Sequence, residues 1–330
     1  MKEGKMSNDL LQDAILNQLS HQRDDILIGP GIGEDCAAIE FGDLACVLST
    51  DPITGATKDI GKIAIHISCN DIASSGLMPI AILITLLMPL EASEEDARTI
   101  MKQAHETASE MNVAIIGGHT EFTSAVIRSV VSVTAIGKGD KRLLAATSGA
   151  KAGDVLVMSK WAGLEGTAII ANEKADVLLA GGMSALQIDK AVSMLDYLSV
   201  VPEGIIGAKH SVHAMHDVTE GGIYGAIWEM CKASGLGAEI ELNSIPLLKE
   251  TKMLCEVFGL NPYKLISSGS MLMAMTKSDF LNCQAEAKTK GILLSAIGTV
   301  SEKGCIRVIN GTDCSDMEAP EVDELYKVFQ

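Results

Sequence analysis

Residues 59–75 read DIGKIAIHISCNDIASS and run straight into Gly76, with Pro79 close behind. Apolar residues recur through this stretch, and glycine followed by proline is the punctuation expected where a helix stops. One feature does not suit a helix interior. Asp71, with Asn70 beside it, sits among Ile63, Ala64, Ile65, Ile67, Ile72 and Ala73. Aspartate is a poor helix-interior residue and is rarely buried without a partner, so it calls for a cation or a basic group nearby. His66 lies five residues earlier, about a turn and a half away, and is read as a packed structural histidine.

The pattern on either side sets this helix inside a layered unit. Upstream, β-like runs at 36–40 and 45–50 flank Gly42-Asp43, the reading of a hairpin. Before them comes a glycine-rich turn at 29–33, and before that residues 6–20 carry Leu10, Leu11, Ile15 and Leu19 at helical spacing behind the capping types Ser7, Asn8 and Asp9. Downstream come a buried strand at 80–88, a helix at 93–111 with Ser93 as N-cap, a strand at 113–116 running into Gly117-Gly118, and a further strand at 125–137. The order β-β-α-β-α-β makes a compact α+β unit. The turn-rich GAKAGD at 149–154 marks its end, so the chain divides into domains 1–150 and 151–330. The second half repeats the mixture, with strands at 155–159, 238–242, 271–275 and 292–300, helices after Gly163 and Asp189, and a helix ending at Ser234. No fixed-period repeat occurs, which excludes a solenoid.

Bulk properties agree with two cores: 330 residues that are 47% hydrophobic exceed the usual domain of about 100–200 residues. The formal charge of −17 disfavours nucleic acid and anionic membrane faces. It does not exclude a nucleotide, because backbone N–H groups and divalent metals supply local positive field. Eight cysteines are spread singly with no CxxC, against a disulfide scaffold or a zinc site. The polar start MKEGKMSNDLLQD is unlike a signal peptide, and the most apolar stretch, 79–90, is shorter than the roughly 20 residues of a membrane span. A reduced cytoplasmic setting is the expectation.

Chemistry concentrates in five segments. Gly31-Ile32-Gly33-Glu34-Asp35 sets adjacent carboxylates at a strand entrance, where oxygen ligands suit Mg²⁺, although Gly/Asp clusters are more often plain turns. Ser49-Thr50-Asp51 puts an acid at the end of a buried strand, a position equally suited to capping. Asn70-Asp71 is the third. Asp35, Asp51 and Asp71 thus emerge from three elements of one domain, and convergent carboxylates suit Mg²⁺ bridging to phosphates. The fourth, residues 115–121 (IIGGHTE), has bare backbone at Gly117-Gly118 able to approach a phosphate, with Thr120 and Glu121 at hand, but no Walker A loop occurs. The fifth, residues 216–222 (HDVTEGG), lies before a helix. His216 and Asp217 there are candidates for handling protons, and Asp217 or Thr219 for capping the helix.

In order and spacing, GEDCAAI at 33–39, STDPI at 49–53, residues 59–79, IIGGHTE at 115–121, GDVLVMSKWAGLEGTAI at 153–169 and HDVTEGG at 216–222 resemble the PurM-like, AIR synthase-related ATP-binding superfamily. The NDIASSG segment, NSIPLL at 243–248 and CEVFGLNPY at 255–263 are most similar to its hydrogenase maturation branch, the HypE-type proteins. The resemblance implies an α+β and α/β fold of two domains: an N-terminal ferredoxin-like domain that pairs with a second copy into a dimeric β-barrel, and a C-terminal α/β domain. It further implies ATP and Mg²⁺ as cofactors, with Asp35, Asp51 and Asp71 at the metal. Gly33, Asp35, Lys62, Gly117, Gly118, His119 and Thr120 are the implied nucleotide-binding set. Implied partners are a second subunit, a small-molecule substrate and a maturation protein. Two departures stand out. His119-Thr120-Glu121 replaces the usual Asp-Thr, and the sequence ends KVFQ with its last cysteine, Cys314, sixteen residues earlier, where the maturation factors end in a substrate-bearing cysteine. The expected activity is therefore ATP-dependent activation of a small substrate oxygen rather than the cyanide-ligand reaction itself. A thiamine-monophosphate-kinase-like enzyme and a non-catalytic nucleotide-binding protein are the alternatives.

Overall fold

The computed structural model describes residues 4–21, 23–53, 58–302, 304–318 and 322–329. Helix α1 (Asn8–Ala14) opens the chain, and β1 (Ile26–Ile28) leads into the hairpin of β2 (Ala37–Phe41) and β3 (Leu44–Ile53), which turns at Gly42 with φ +66°. Then follow α2 (Ile60–Ser74), β4 (Met78–Met88), α3 (Glu94–Glu110), β5 (Ala114–Phe122) and β6 (Val130–Asp140). The six strands form one sheet in the order β1-β2-β3-β6-β4-β5, with β4 and β5 parallel and the remaining neighbours antiparallel.

Helices α2 and α3 pack on one face of this sheet, building a core from Ile63, Ile67, Ile72, Ile82, Leu86, Val133 and Ile100. Ser93 closes a reciprocal capping box with Asp96 at the start of α3. The other face is open: Met78, Ile80 and Leu83 of β4 and Ile116 of β5, the last 58% exposed, project from it.

The second sheet holds β7 (Val155–Ser159), β8 (Ala214–Val218), β9 (Gly237–Glu241), β10 (Ser270–Met275), β11 (Leu294–Ser301), β12 (Ile306–Asn310) and β13 (Asp313–Asp316), ordered β13-β12-β9-β11-β7-β10-β8. Its helices are α4 (Leu164–Glu173), α5 (Ala175–Ala180), α6 (Ala185–Val192), α7 (Val201–Lys209), α8 (Gly222–Ser234), α9 (Lys249–Phe258), α10 (Lys277–Thr289) and α11 (Tyr326–Phe329). Every residue of β8 and β10 is buried. Among the described residues no single helix is long and apolar enough to cross a membrane.

Helix α2 joins the two halves. Apart from Lys62 and His66 all its residues are buried, because it packs on the first sheet, on α3 and on the second domain's α7 and β8. Glycine makes both helix crossings possible. A Cβ on Gly61 would stand 2.3 Å from Ile100 O, and one on Gly204 of α7 would stand 2.1 Å from Ala73 O.

Several elements differ from the sequence expectation. Gly117 and Gly118 do not follow a strand but lie inside β5, where a Cβ on Gly118 would collide with Ile84 O at 1.8 Å, so the glycine serves a close strand approach rather than a turn. His216 and Asp217 likewise lie within β8 rather than after it, and α8 is capped by Gly221 at φ +82° with no side-chain cap, which removes Asp217 and Thr219 from that role. Helix α1 is shorter than 6–20 and buries nothing, since no layer covers Leu10, Ile15 and Leu19. Helix α6 spans Asp189 instead of following it, the strand expected at 125–137 begins at Val130, and β1 had no counterpart in the sequence reading.

Candidate functional site

Four carboxylates meet where the two sheets face each other across α2. Asp35 comes from the turn before β2, Asp51 from β3, Asp71 from α2 and Asp217 from β8. Asp71 is only 4% exposed and accepts a hydrogen bond from Ser49 Oγ. Burial pushes its carboxyl well above the usual range, and the charges of Asp217, Asp51 and Asp35 push the same way. Asp217 is raised well above its ordinary value by burial and by Asp35, with His216 opposing. Asp51 is raised by burial while the Lys5 ammonium and a hydrogen bond with Asp71 hold it back. Asp35 Oδ2 and both oxygens of Asp217 are buried and accept no hydrogen bond. Orphaned buried carboxylate oxygens are costly unless a cation meets them.

His216 organises one side. Its Nδ1 lies 2.6 Å from Asp35 Oδ1 and its Nε2 lies 2.9 Å from Glu229 Oε2 on α8. Burial alone would lower this imidazole, but the flanking carboxylates raise it well above its ordinary value. Glu229, which burial would raise, is held at about 2 by Lys5 and His216. With a carboxylate beside each ring nitrogen, His216 is a charged strut next to Asp35. Lys5 reaches in from the N-terminal arm, its Nζ 4.0 Å from Glu229 Oε1 and its backbone N–H donating to Glu220 Oε2 at 3.1 Å.

Ligand atoms of Asp35, His216 and Asp217 fall within 4.8 Å of one another. Asp35 and Asp217 offer carboxylate oxygens to a cation there, and Asp71 and Asp51 bring two further acids whose charges reach the same group. An all-oxygen set suits a hard divalent ion such as Mg²⁺.

The three acids read from the sequence therefore converge, joined by the fourth. Gly33, at φ +78°, wedges against α8, where a Cβ would stand 3.1 Å from Glu229 Cβ, and this seats Asp35 beside His216. The other expected residues lie apart. Lys62 pairs with Asp196 at 2.9 Å, nine residues before Asp71 and about 13 Å along the helix. Gly117, Gly118, His119 and Thr120 sit on edge strand β5, three strands from β3 and so about 14 Å away within the chain. His119 pairs there with Glu121 at 3.2 Å. His66, with Nδ1 unpartnered, is lowered to about 4 by burial and by Lys62 and Lys160, as suits a packed neutral histidine.

Glu229 and Lys5 are not singled out in the sequence, and Ser49 enters there only as a neighbour of Asp51, without the role of donor to Asp71. Glu229 carried the same signal as Asp71, an acid inside an apolar helix (GIYGAIWEMCKAS), whereas nothing marked Lys5. Asn70 has a partner of a different kind from the cation or base expected for the Asn-Asp pair: its Nδ2 donates to Leu198 O at 2.7 Å and its Oδ1 accepts from Val200 N at 2.8 Å.

Comparison with known proteins adds independent findings. Residues 33–138 match the N-terminal domain, and residues 151–310 the C-terminal domain, of AIR synthase related protein. A hydrogenase expression/formation protein of Methanocaldococcus jannaschii is 31% identical over 85% of this chain and 82% of its own length. The carbamoyl dehydratase HypE of Cupriavidus necator is 26% identical over 82% and 78%, and the selenide, water dikinase of Rhizobium meliloti 28% over 76% and 71%. Among solved structures, a HypE–HypF complex superimposes with TM-score 0.74 at 20% identity, covering 87% of this chain and 93% of that one. ThiL with AMPPCP and TMP gives 0.73 at 19%, covering 96% and 99%. HypE in complex with ATP gives 0.70 at 19%, covering 99% and 97%. At these identities the structures show the shared two-domain fold.

Proposed function

The chain belongs to the AIR synthase related protein family, and from that premise we propose that it is an ATP- and Mg²⁺-dependent enzyme that activates an oxygen of a small substrate by phosphoryl transfer. In such a step the substrate oxygen forms a bond to the γ-phosphorus of ATP as the bond to the leaving ADP breaks. One observation carries the reading: carboxylates from both domains converge with buried oxygens that no protein group satisfies. Relatives support it by their chemistry, since those proteins include a carbamoyl dehydratase and a selenide, water dikinase, and solved neighbours were obtained with ATP or AMPPCP.

Asp35, Asp51, Asp71 and Asp217 would hold the metal, which when bound offsets phosphate charge next to these acids. The chain's own residues do the rest. Glu229 and His216 brace Asp35, Ser49 fixes Asp71, and Lys5 brings a positive charge to the rim of the site. We further propose a cytoplasmic homodimer. The open apolar face bearing Met78, Ile80, Leu83 and Ile116 is the surface on which a second copy would complete a barrel, and such pairing would give Gly117, Gly118, His119 and Thr120 of β5 a route to a nucleotide. A maturation-type partner protein belongs to the same proposal, supported by the HypE–HypF complex.

Titration calorimetry with AMPPCP, run with and without Mg²⁺, tests the reading. Magnesium-dependent binding is expected; no binding under either condition overturns it.

A further inference from the structure

We propose that Asn70 is a positioning residue that clamps α2, and with it Asp71, to the C-terminal domain and so sets the separation between the carboxylates that the two domains bring to the site. Asn70 is fully buried, and its amide spends one donor on Leu198 O at 2.7 Å and its oxygen on Val200 N at 2.8 Å. Both contacts fall on the short connection that enters α7. That connection is itself anchored, since Ser199 O accepts from Lys160 Nζ at 2.6 Å, and the same ammonium binds Gly269 O at 2.7 Å and Glu203 at 2.6 Å. The far jaw of the clamp is thus tied to the residues at the ends of β7 and β10.

Asp71 is the next residue, turned by about 100° around the helix, where it meets Ser49 from its own domain and the charge of Asp217 from the other. Asp71 and Asp217 repel each other across the joint. A neutral side chain that offers one donor and one acceptor in fixed geometry resists that repulsion without adding charge, which an Asp or Lys here would do. One turn further on, Gly204 lets α7 close onto Ala73 O, so the joint is seated by contact as well as by hydrogen bonds.

This inference rests on the metal-nucleotide reading of the site. The test measures AMPPCP binding with and without Mg²⁺ for the wild-type protein, Asn70→Ala, the size-matched Asn70→Leu and Gly204→Ala, which wedges the same joint from the other side. Loss of about 10- to 100-fold in the magnesium-dependent affinity is expected for each variant, as for residues that orient metal ligands without touching the metal, with the metal-free binding unchanged. A lowered melting temperature with wild-type magnesium dependence in whichever variants fold overturns the clamp, because a merely structural residue would behave that way. Absence of binding by the wild-type protein overturns the functional reading instead.

Discussion

Two groups of buried charges lie near α2, and they are built on opposite principles. Lys160 and Glu203 form a balanced pair: Glu203 is 1% exposed, and the lysine ammonium has three acceptors, Glu203, Ser199 O and Gly269 O. Asp35, Asp51, Asp71 and Asp217 are unbalanced, four carboxylates whose crowding helps raise Asp51, Asp71 and Asp217. Burial of charge is common to both, so burial does not mark a ligand site; the missing countercharge does. A neutralised pair is finished when the chain folds, whereas an acid cluster is finished only by a cation from outside.

The comparison breaks first at Lys160. Lys160→Met strands Glu203 as an uncompensated buried charge and is expected to cost about 3–5 kcal/mol of stability, read as a fall in the urea midpoint. The double variant Lys160→Met/Glu203→Leu should recover most of that loss, because it removes both charges together. A mild effect of the single variant would mean that the pair does not hold this joint.

In the acid cluster the sign reverses. Asp71→Asn or Asp217→Asn removes one of several crowded like charges, so the metal-free protein is expected to gain about 0.5–2 kcal/mol, the usual exchange of stability for function at such sites, while magnesium-dependent AMPPCP binding disappears. Calorimetry and thermal melts on the same samples check both halves. Destabilisation together with intact binding would make these acids ordinary structural groups.

What the sequence could show follows the same division. The hairpin around Gly42 and the end of α2 at Gly76 were legible because each is a positive-φ position that local punctuation marks. Asp71 was legible because an acid in an apolar helix is a local contradiction, and Glu229 would have been found by applying that test again. Gly118 misled because glycine signals a turn and a close strand approach alike, and only the position of Ile84 O decides between them. Both Lys160 and Asn70 have a partner more than a hundred positions away in sequence, and both bind the backbone that enters α7, so no spacing within the chain announces them. Pairing across a domain joint is a property of the folded molecule.

A pH titration sharpens the contrast with a smaller effect. A carboxyl raised by folding favours the folded state while protonated; its contribution is complete below its ordinary value and is lost as pH rises through the folded one. Asp71 and Asp217 are raised well above 3.8 and Glu165, through burial, from 4.5 to about 7. Metal-free stability should therefore decline as pH rises above about 4.5, with the Glu165 part complete near 7 and the Asp71 and Asp217 parts ending at their own raised values, and Mg²⁺ should offset the cluster's part by binding the deprotonated acids. Glu165→Gln, outside the cluster, should remove only the part of the decline that ends near 7, and that part should persist whether or not Mg²⁺ is present.

The smallest effect is expected at Lys62, where the charge pair with Asp196 is exposed and neither balanced burial nor crowding is at stake. Lys62→Ala should change stability by about 0–1 kcal/mol, within the scatter of a surface substitution. Its value lies in the nucleotide measurement made alongside. A drop in AMPPCP affinity would put the Lys62 ammonium in the path of the phosphates despite the two and a half turns of helix between it and Asp71, and would require the ligand to extend along α2 toward Asp196. Unchanged affinity would confine the ligand to the end of the helix where the countercharge is missing.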